Sequence, residues 1–196
     1  MRTPWGYDVA DQLDPLLSAS EFDEITNGAY ASNPRVNSAL LAASQVVRNY
    51  CGWHVCPAVE CSAEPMGGGN VRRLPAGYVS EITSVAENGE TVDPSEYEWR
   101  KDGLIRRKGC THWAHGWNAV EVEYIAGFDI ESVPDLAEAV AAITAGVLSV
   151  SAGVSSESAD GVSISYSASA SSIAAALTAQ QRSALEAYKV VSAHAT

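Results

Sequence analysis

Apolar and polar residues follow a helical period at the start of the chain. Ser18, followed three residues later by Glu21, is typical of a capping box and predicts a short helix over 19–25. Asn33 before Pro34 predicts a second helix, because an Asn side chain caps free N–H groups and proline has none to lose. One face of this second helix is apolar, formed by Val36, Leu40, Ala43, Val47 and Tyr50. We therefore predict N-terminal helices over 18–52.

The period changes to alternation between residues 53 and 128. Val120, Val122 and Tyr124 alternate with two glutamates, which is typical of a strand with one buried and one exposed face. Asn88-Gly89 and Asp102-Gly103 predict hairpin turns, since both central positions of such turns favour positive φ. The predicted strands are 55–63, 71–74, 78–87, 90–101, 104–108 and 117–126, with a loop at 67–69. Together they predict one small antiparallel sheet.

The helical period returns near Pro134. A long helix over 133–150 is predicted by one apolar stripe, formed by Leu136, Val140, Ile143 and Val147. Residues 151–176 are dominated by Ser, Ala and Gly and predict an extended arm. Thr178 predicts the start of a C-terminal helix over 178–192.

Charge excludes one class of function. The chain has 196 residues, with 12 Lys and Arg against 24 Asp and Glu, so its formal net charge is −12. A protein that holds nucleic acid tightly through its phosphates needs a basic face, which this composition does not favour. A protein that merely surrounds nucleic acid is not excluded. The basic clusters at 72–73 and 106–108 could touch nucleic acid or an acidic partner, but short clusters of this kind are usually plain surface.

No membrane segment and no secretory signal are predicted. The N-terminus lacks a basic stretch followed by an apolar one, and we expect the chain to be cytosolic when made. The most apolar window, 136–154, contains Glu138 and consists mainly of small residues, which favours a buried helix.

Cysteine and histidine residues offer one candidate for chemistry. Cys51, Cys56, Cys110 and His112 are of the types that bind zinc, and they leave open a small cytosolic zinc-dependent hydrolase or a zinc-stabilised domain. Their spacing does not match a zinc ribbon or finger, and buried thiols that bind no metal explain them better. No nucleophile elbow or phosphate-binding loop is present in the sequence. We therefore predict no enzyme, no catalytic residue, no metal and no cofactor.

The order of several motifs resembles the head–tail connector (adaptor, or head-completion) family of tailed bacteriophages, of the siphophage type. The motifs lie at 50–55 (Tyr-Cys-Gly-Trp-His-Val), 74–75, 88–90, 97–99, 103–107, 113–128, 133–136 and 185–188. The resemblance implies an α+β, mainly helical fold. In it, residues 1–196 form a single connector domain: a small helical bundle with an inserted antiparallel β element (53–128) and the arm before the last helix.

The resemblance also implies a function. The chain would be a structural virion component, assembled in the host cytoplasm, that forms a closed ring below the portal protein, usually of twelve copies. The ring would extend the DNA channel and dock the stopper or tail, and genomic DNA would pass without specific binding. A stopper or tail-completion protein is the alternative within the same class.

Two sets of residues are candidates for contacts in such a ring. Val162, Ile164 and Tyr166 of the arm could reach a neighbouring subunit or a partner by strand addition. Leu185, Tyr188, Lys189 and Val191 resemble the portal-facing C-terminal segment of the family, although packing within the chain explains the same stripe. Glu121 and Glu123 are the first candidates for acids that face the channel.

Overall fold

The alternating part of the sequence folds into two antiparallel sheets. The computed structural model describes residues 1–109, 111–149, 156–159, 162–165 and 177–190. In chain order the strands of the two sheets are β1 (Asp8–Val9), β2 (Val59–Ala63), β3 (Met66–Gly68), β4 (Val71–Arg73), β5 (Val79–Glu87), β6 (Glu90–Thr91), β7 (Tyr97–Trp99), β8 (Leu104–Arg107) and β9 (Val120–Ala126). One sheet has the order β1-β2-β9-β5-β6 and the other has the order β3-β4-β8-β7.

Both sheets belong to one of two units into which the chain divides. The first unit is made of three segments, Met1–Leu13, Cys51–Asp129 and Tyr188–Thr196. The second unit is made of Asp14–Tyr50 and Ile130–Ala187 and contains the helices. Each unit therefore combines segments that are distant in sequence.

The five-stranded sheet buries the face that the alternation predicts. On one side of β9, Val122 pairs with Val85 of β5. On the other side, Tyr124 pairs with Cys61 of β2, and all four side chains are buried. Directly opposed residues of antiparallel strands point to the same face, so these side chains form one layer of the core. Glu121 and Glu123 point the other way and are exposed, as the alternation predicts.

Three of the four helices of the second unit begin where the local signals predict, whereas the second helix begins at Val36, two residues after Pro34. They are α1 (Ala19–Ile25), α2 (Val36–Cys51), α3 (Pro134–Ser149) and α4 (Ala179–Glu186). Capping boxes of Ser18 with Glu21 and of Thr178 with Gln181 start α1 and α4. The unit packs through α3, which contacts both α1 and α4.

A separate hairpin lies in the segment predicted as an arm. Strands β10 (Ser156–Ala159) and β11 (Val162–Ser165) pair with each other in an antiparallel register. No third strand joins them among the residues that the structure describes.

The predicted fold class is wrong in its weighting. Besides the β10–β11 hairpin, the described residues form four α-helices and nine strands in two antiparallel sheets, so the fold is mixed α+β and not a mainly helical bundle with a β insertion. The reason is that residues 53–128 fold together with both terminal segments into one compact unit that contains both sheets. Trp53, Trp113 and Tyr124 belong to this unit and are fully buried.

Some element boundaries also differ from the prediction. The predicted strand 90–101 is two strands in different sheets, because a 3₁₀ turn at Pro94–Glu96 separates β6 from β7. The glycines at 67–68 are part of β3 and not a loop. The C-terminal helix ends at Glu186, before Tyr188. No helix in the described part of the chain is long and apolar enough to cross a membrane.

Candidate functional site: two charged sheets

One exposed face of the five-stranded sheet is acidic. Pairing places Glu60 and Glu81 opposite Ile125 on either side of β9, and Ser62 and Ser84 opposite Glu123. Opposed residues share a face, so the carboxylates of one surface can be listed from the register. We call this surface the acid face, and its members are Asp8, Glu60, Glu81, Glu121 and Glu123. The strands of this sheet contain no Lys or Arg.

The carboxylates of the acid face are held by neutral groups. The Ser62 hydroxyl donates to Glu121 Oε1 at 3.0 Å, and the Ser84 hydroxyl donates to Glu123 Oε2 at 2.9 Å. Asp8 has an ion pair with Arg2 at 3.3 Å, in which both side chains are largely exposed. Within the described residues, the other four carboxylates of the face form no ion pair. The negative charge of these four carboxylates is therefore available to a molecule that binds this face.

The four-stranded sheet has the opposite charge. We call residues 66–73 and 97–108, which hold its strands and the turn between β7 and β8, the basic sheet. Seven of the chain's 12 Lys and Arg lie in it, against two carboxylates, Glu98 and Asp102. The seven are Arg72, Arg73, Arg100, Lys101, Arg106, Arg107 and Lys108. A chain with a net charge of −12 thus has one basic region.

Arg107 points inward and ties the basic sheet to the other sheet. Its guanidinium contacts Glu87 of β5 at 3.5 Å and Glu96 at 2.7 Å, and it lies 5.2 Å from the ring centre of Trp113. The Arg107 and Glu87 side chains are only 15% and 18% exposed. Glu87 also accepts from the Ala114 N–H at 2.6 Å. This cluster fixes the loop that contains Trp113.

The outer side of the basic sheet has a groove of about 460 Å³. It is lined by Val71 and Leu104 together with Glu98, Arg100 and Arg106, whereas Trp99 pairs with the buried Ile105 and so belongs to the opposite face. The two arginine side chains are 72% and 56% exposed. Arg100 pairs with Asp102 at 3.1 Å, and Arg106 pairs with Glu98. Exposed pairs of this kind exchange readily with water or with another protein.

Two tryptophans of one loop have opposite environments. Trp113 is completely buried, and its backbone N–H donates to Gly69 O at 3.0 Å. Trp117 is 96% exposed. The loop around Trp117 is nevertheless fixed, because the Asn118 N–H donates to Glu64 Oε2 at 3.0 Å.

His54, in the Tyr-Cys-Gly-Trp-His-Val motif at 50–55, belongs to a buried network of hydrogen bonds. His54 is fully buried, with Nδ1 2.7 Å from the Tyr7 hydroxyl and Nε2 2.9 Å from Ala126 O. Because a carbonyl can only accept, Nε2 donates and Nδ1 is left to accept from the Tyr7 hydroxyl. Burial raises the pKa of the Cys61 thiol to about 12 and also raises the pKa of the Tyr124 hydroxyl. Both shifts oppose ionisation and are typical of structural groups.

The residues proposed for zinc do not come together in the described part of the chain. Cys51 and Cys56 are buried thiols, whereas His112 is exposed. Cys110 lies outside the described residues. No group of three His, Cys, Asp or Glu side chains that could hold a metal ion occurs among the residues described.

The predicted interface residues fall into three groups. Val162 and Ile164 lie on β11, and Tyr166 and Val191 lie outside the described residues. Leu185 is completely buried on α4, and Tyr188 is 8% exposed in the first unit. The Trp53 indole N–H donates to the Tyr188 carbonyl at 2.6 Å, and Lys189 is half-buried. The interface role of these residues stays a prediction, as does the channel position of Glu121 and Glu123.

Sequence reasoning did not find the separation of charge between the two sheets. The basic clusters are visible in the sequence, and Arg72-Arg73 and Arg106-Arg107 form the last two positions of β4 and β8. Pairing β4 with β8 brings the two clusters together, with Arg106 opposite Val71. The sequence signal that could have found it is the near absence of acids from 66–73 and 97–108.

Comparison with known proteins identifies the fold. Neither the protein-family models nor the curated proteins give a match. Among solved structures, a chain from the neck of an empty GTA particle, computed with C6 symmetry, matches with a TM-score of 0.55 and 19% identity over 75% of this chain and 87% of that one. A chain from the neck of a native GTA particle, computed with C12 symmetry, matches with a TM-score of 0.54 and 15% identity over 74% and 83%.

These likenesses concern the fold. GTA particles are gene transfer agents and are phage-like. The chain has the fold of a neck protein from such a particle, which supports the resemblance to head–tail connector proteins that the sequence indicates.

Proposed function

We propose that the protein is a structural component of the neck of a tailed phage or phage-like particle, where it acts as a head-to-tail adaptor. In this role residues 1–196 work as a single connector domain that assembles into a ring below the portal protein. The ring extends the DNA channel and docks the stopper or tail. The proposal includes no catalytic step.

The observation that carries the proposal is the shared fold. Two neck chains match about three quarters of this chain, and each is itself covered by more than four fifths. The match therefore includes more than a common motif. Both neighbours come from necks that were computed with cyclic symmetry, C6 or C12, which favours a ring for this chain as well.

The charge of the chain suits a conduit for DNA. Twelve copies at −12 each would carry a formal charge of −144. Such a ring repels phosphate and so does not hold the genome as it slides. This property separates a channel component from a protein that grips DNA.

The test is to find the chain in the particle and to find its contact there. Antibodies against the protein, labelled with gold, should mark the neck of isolated particles in electron micrographs. Purified protein mixed with the portal protein of the same particle should form rings seated on the portal in negative stain. The matched control is the portal protein alone.

The two measurements separate the adaptor from its alternatives. Gold on the neck without binding to portal would favour the stopper or tail-completion role. Label that is absent from the particle would overturn the proposal altogether.

A further inference from the structure

The first unit has two surfaces of opposite charge on its two sheets. The acid face has five carboxylates, of which only Asp8 has an ion pair within the described chain. The basic sheet has seven cations and two carboxylates. Arg107 points inward, and the outer face presents Arg73, Arg100 and Arg106 against Glu98 and Asp102. A head-to-tail ring needs two different surfaces on each copy that fit each other.

We propose that the acid face of one copy docks on the basic sheet of the next copy. The inference rests on the proposed ring and names the surfaces that would build it. The occupant is a second copy of this chain, and charge complementarity between the two surfaces is the argument for it.

The outer groove of the basic sheet offers both apolar and charged side chains to a partner. Val71 and Leu104 line it, with Glu98 and the exposed Arg100 and Arg106 beside them. Arginine is enriched in surfaces that bind proteins. The acid face has a smaller groove of about 280 Å³ beside Glu60, Thr83 and Glu123.

A protein partner fits the basic sheet better than DNA does. Arg72 and Arg73 donate to the carbonyls of Ala114 and Asp102, so neither guanidinium is wholly available to phosphate. Glu98 and Asp102 lie among the exposed arginines and would repel a phosphate backbone. The rest of the chain is strongly acidic and would oppose DNA as well.

The inference gives Glu121 and Glu123 a different place from the channel. In a docked ring both carboxylates would face guanidinium groups of the neighbour and not DNA. The two positions predict different effects of salt on assembly. If the carboxylates lie between copies, salt screens their attraction to the neighbour and weakens the ring. If they line the channel, salt does not weaken the contacts that hold the ring together.

Two charge-reversed variants test the docking. Glu121→Lys with Glu123→Lys makes the acid face positive, and Arg100→Glu with Arg106→Glu makes the basic sheet negative. All four side chains are exposed, so folding should persist, and circular dichroism checks it. Glu24→Lys with Glu138→Lys is the control, since it changes the net charge as the first variant does but lies on exposed positions of α1 and α3.

The measurement is sedimentation velocity over a series of protein concentrations up to about 1 mM. The wild type and the control should self-associate, and the association should weaken as salt is raised. Each reversed variant alone should associate at least about tenfold more weakly, because each would then present two surfaces of the same sign. An equimolar mixture of the two variants should recover association, since each supplies the surface that the other lacks.

The outcomes separate this inference from the proposed function. Reversed variants that associate as the wild type does, or a mixture that does not recover, would overturn the docking. A wild type that stays monomeric at all concentrations would also overturn it. None of these results moves the gold label from the neck, which tests the proposed function independently.

Discussion

The two sheets of the first unit place their charged residues in opposite ways. The five-stranded sheet buries apolar side chains on one face and leaves its carboxylates outside, mostly without ion pairs in the described chain. The four-stranded sheet has strands of three or four residues and turns Arg107 inward, against Glu87 and Trp113. Strands β2, β5 and β9 of the five-stranded sheet have five, nine and seven residues, so that sheet has more strand surface on which to bury apolar side chains.

Charged groups contribute to stability where they are buried and are available for contacts where they are exposed. A charged group that is mostly buried must be paired, and its loss is costly. An exposed charge contributes little to folding and is free to serve recognition. All five tryptophans lie in the first unit, so their fluorescence follows the unfolding of the two sheets.

The largest effect is expected from Trp113→Ala. The side chain is completely buried beside Arg107, and its removal should lower the free energy of unfolding by about 3–5 kcal/mol. Trp117→Ala is the matched control, because Trp117 is 96% exposed and its loss should cost less than about 0.5 kcal/mol. Urea unfolding followed by circular dichroism measures both. Equal effects would contradict the contrast between the two loop positions.

Arg107→Ala should have the next largest effect. It leaves Glu87 and Glu96 without their guanidinium, and we expect a loss of about 2–3 kcal/mol, because the pair with Glu87 is only partly screened by water. Arg106→Ala removes the exposed pair with Glu98 on the same strand and should cost less than about 1 kcal/mol. Tryptophan fluorescence in urea compares the two variants. A larger loss for Arg106→Ala would break the proposed division between the inward and outward arginines.

Two glycine turns give a smaller difference between the sheets. Gly89 and Gly103 have φ of +84° and +80°, so alanine is strained at both positions. An added Cβ at Gly89 meets nothing within 4 Å, whereas at Gly103 it would lie 2.9 Å from the Ala76 carbonyl oxygen. We expect Gly103→Ala to cost about 1 kcal/mol more than Gly89→Ala. The difference between their urea midpoints measures it, and equal midpoints would show that the backbone at Ala76 yields.

Alkaline pH should weaken the five-stranded sheet slightly. The pKa of Cys61 is about 12 in the folded chain, above its usual value of 9.0. Its contribution is therefore complete below pH 9 and is lost as the pH rises toward 12. At pH 9.5 the loss relative to pH 7 should be about 0.8 kcal/mol. Cys61→Ala should lose less over the same interval in urea titrations, and an identical pH dependence in both proteins would contradict the role of the thiol.

Local signals in the sequence predicted three of the four helix starts and one turn correctly, whereas α2 begins at Val36 and not at Pro34. In each capping box the Ser18 or Thr178 hydroxyl accepts from a backbone N–H three residues on, at 3.2 Å. These contacts lie within four residues of sequence, so the residues alone specify them. Asn88 and Gly89 both have positive φ, as the predicted hairpin turn requires.

Features that depend on distant pairing could not be predicted. At Asp102-Gly103 only the glycine has positive φ, and the Gly103 N–H donates to Arg100 O, so the turn begins earlier than predicted. The two-residue strand β1 exists because Asp8 and Val9 pair with β2, more than 50 residues away. The assignment of β6 and β7 to different sheets likewise depends on their partners, not on their own pattern. The acid face and the basic sheet follow from such pairings, which explains why the candidate site was not found from sequence.

The tie between Trp53 and Tyr188 has a consequence for synthesis. The indole N–H and its acceptor are 135 residues apart, and at about 5–20 residues per second a ribosome needs about 7–27 s to make the chain between them. During that time Trp53, which is completely buried in the finished protein, lacks its contact with Tyr188. The nascent first unit is therefore incomplete until residue 188 has been made, and a ribosome that stalls within the second unit leaves the indole N–H without its acceptor.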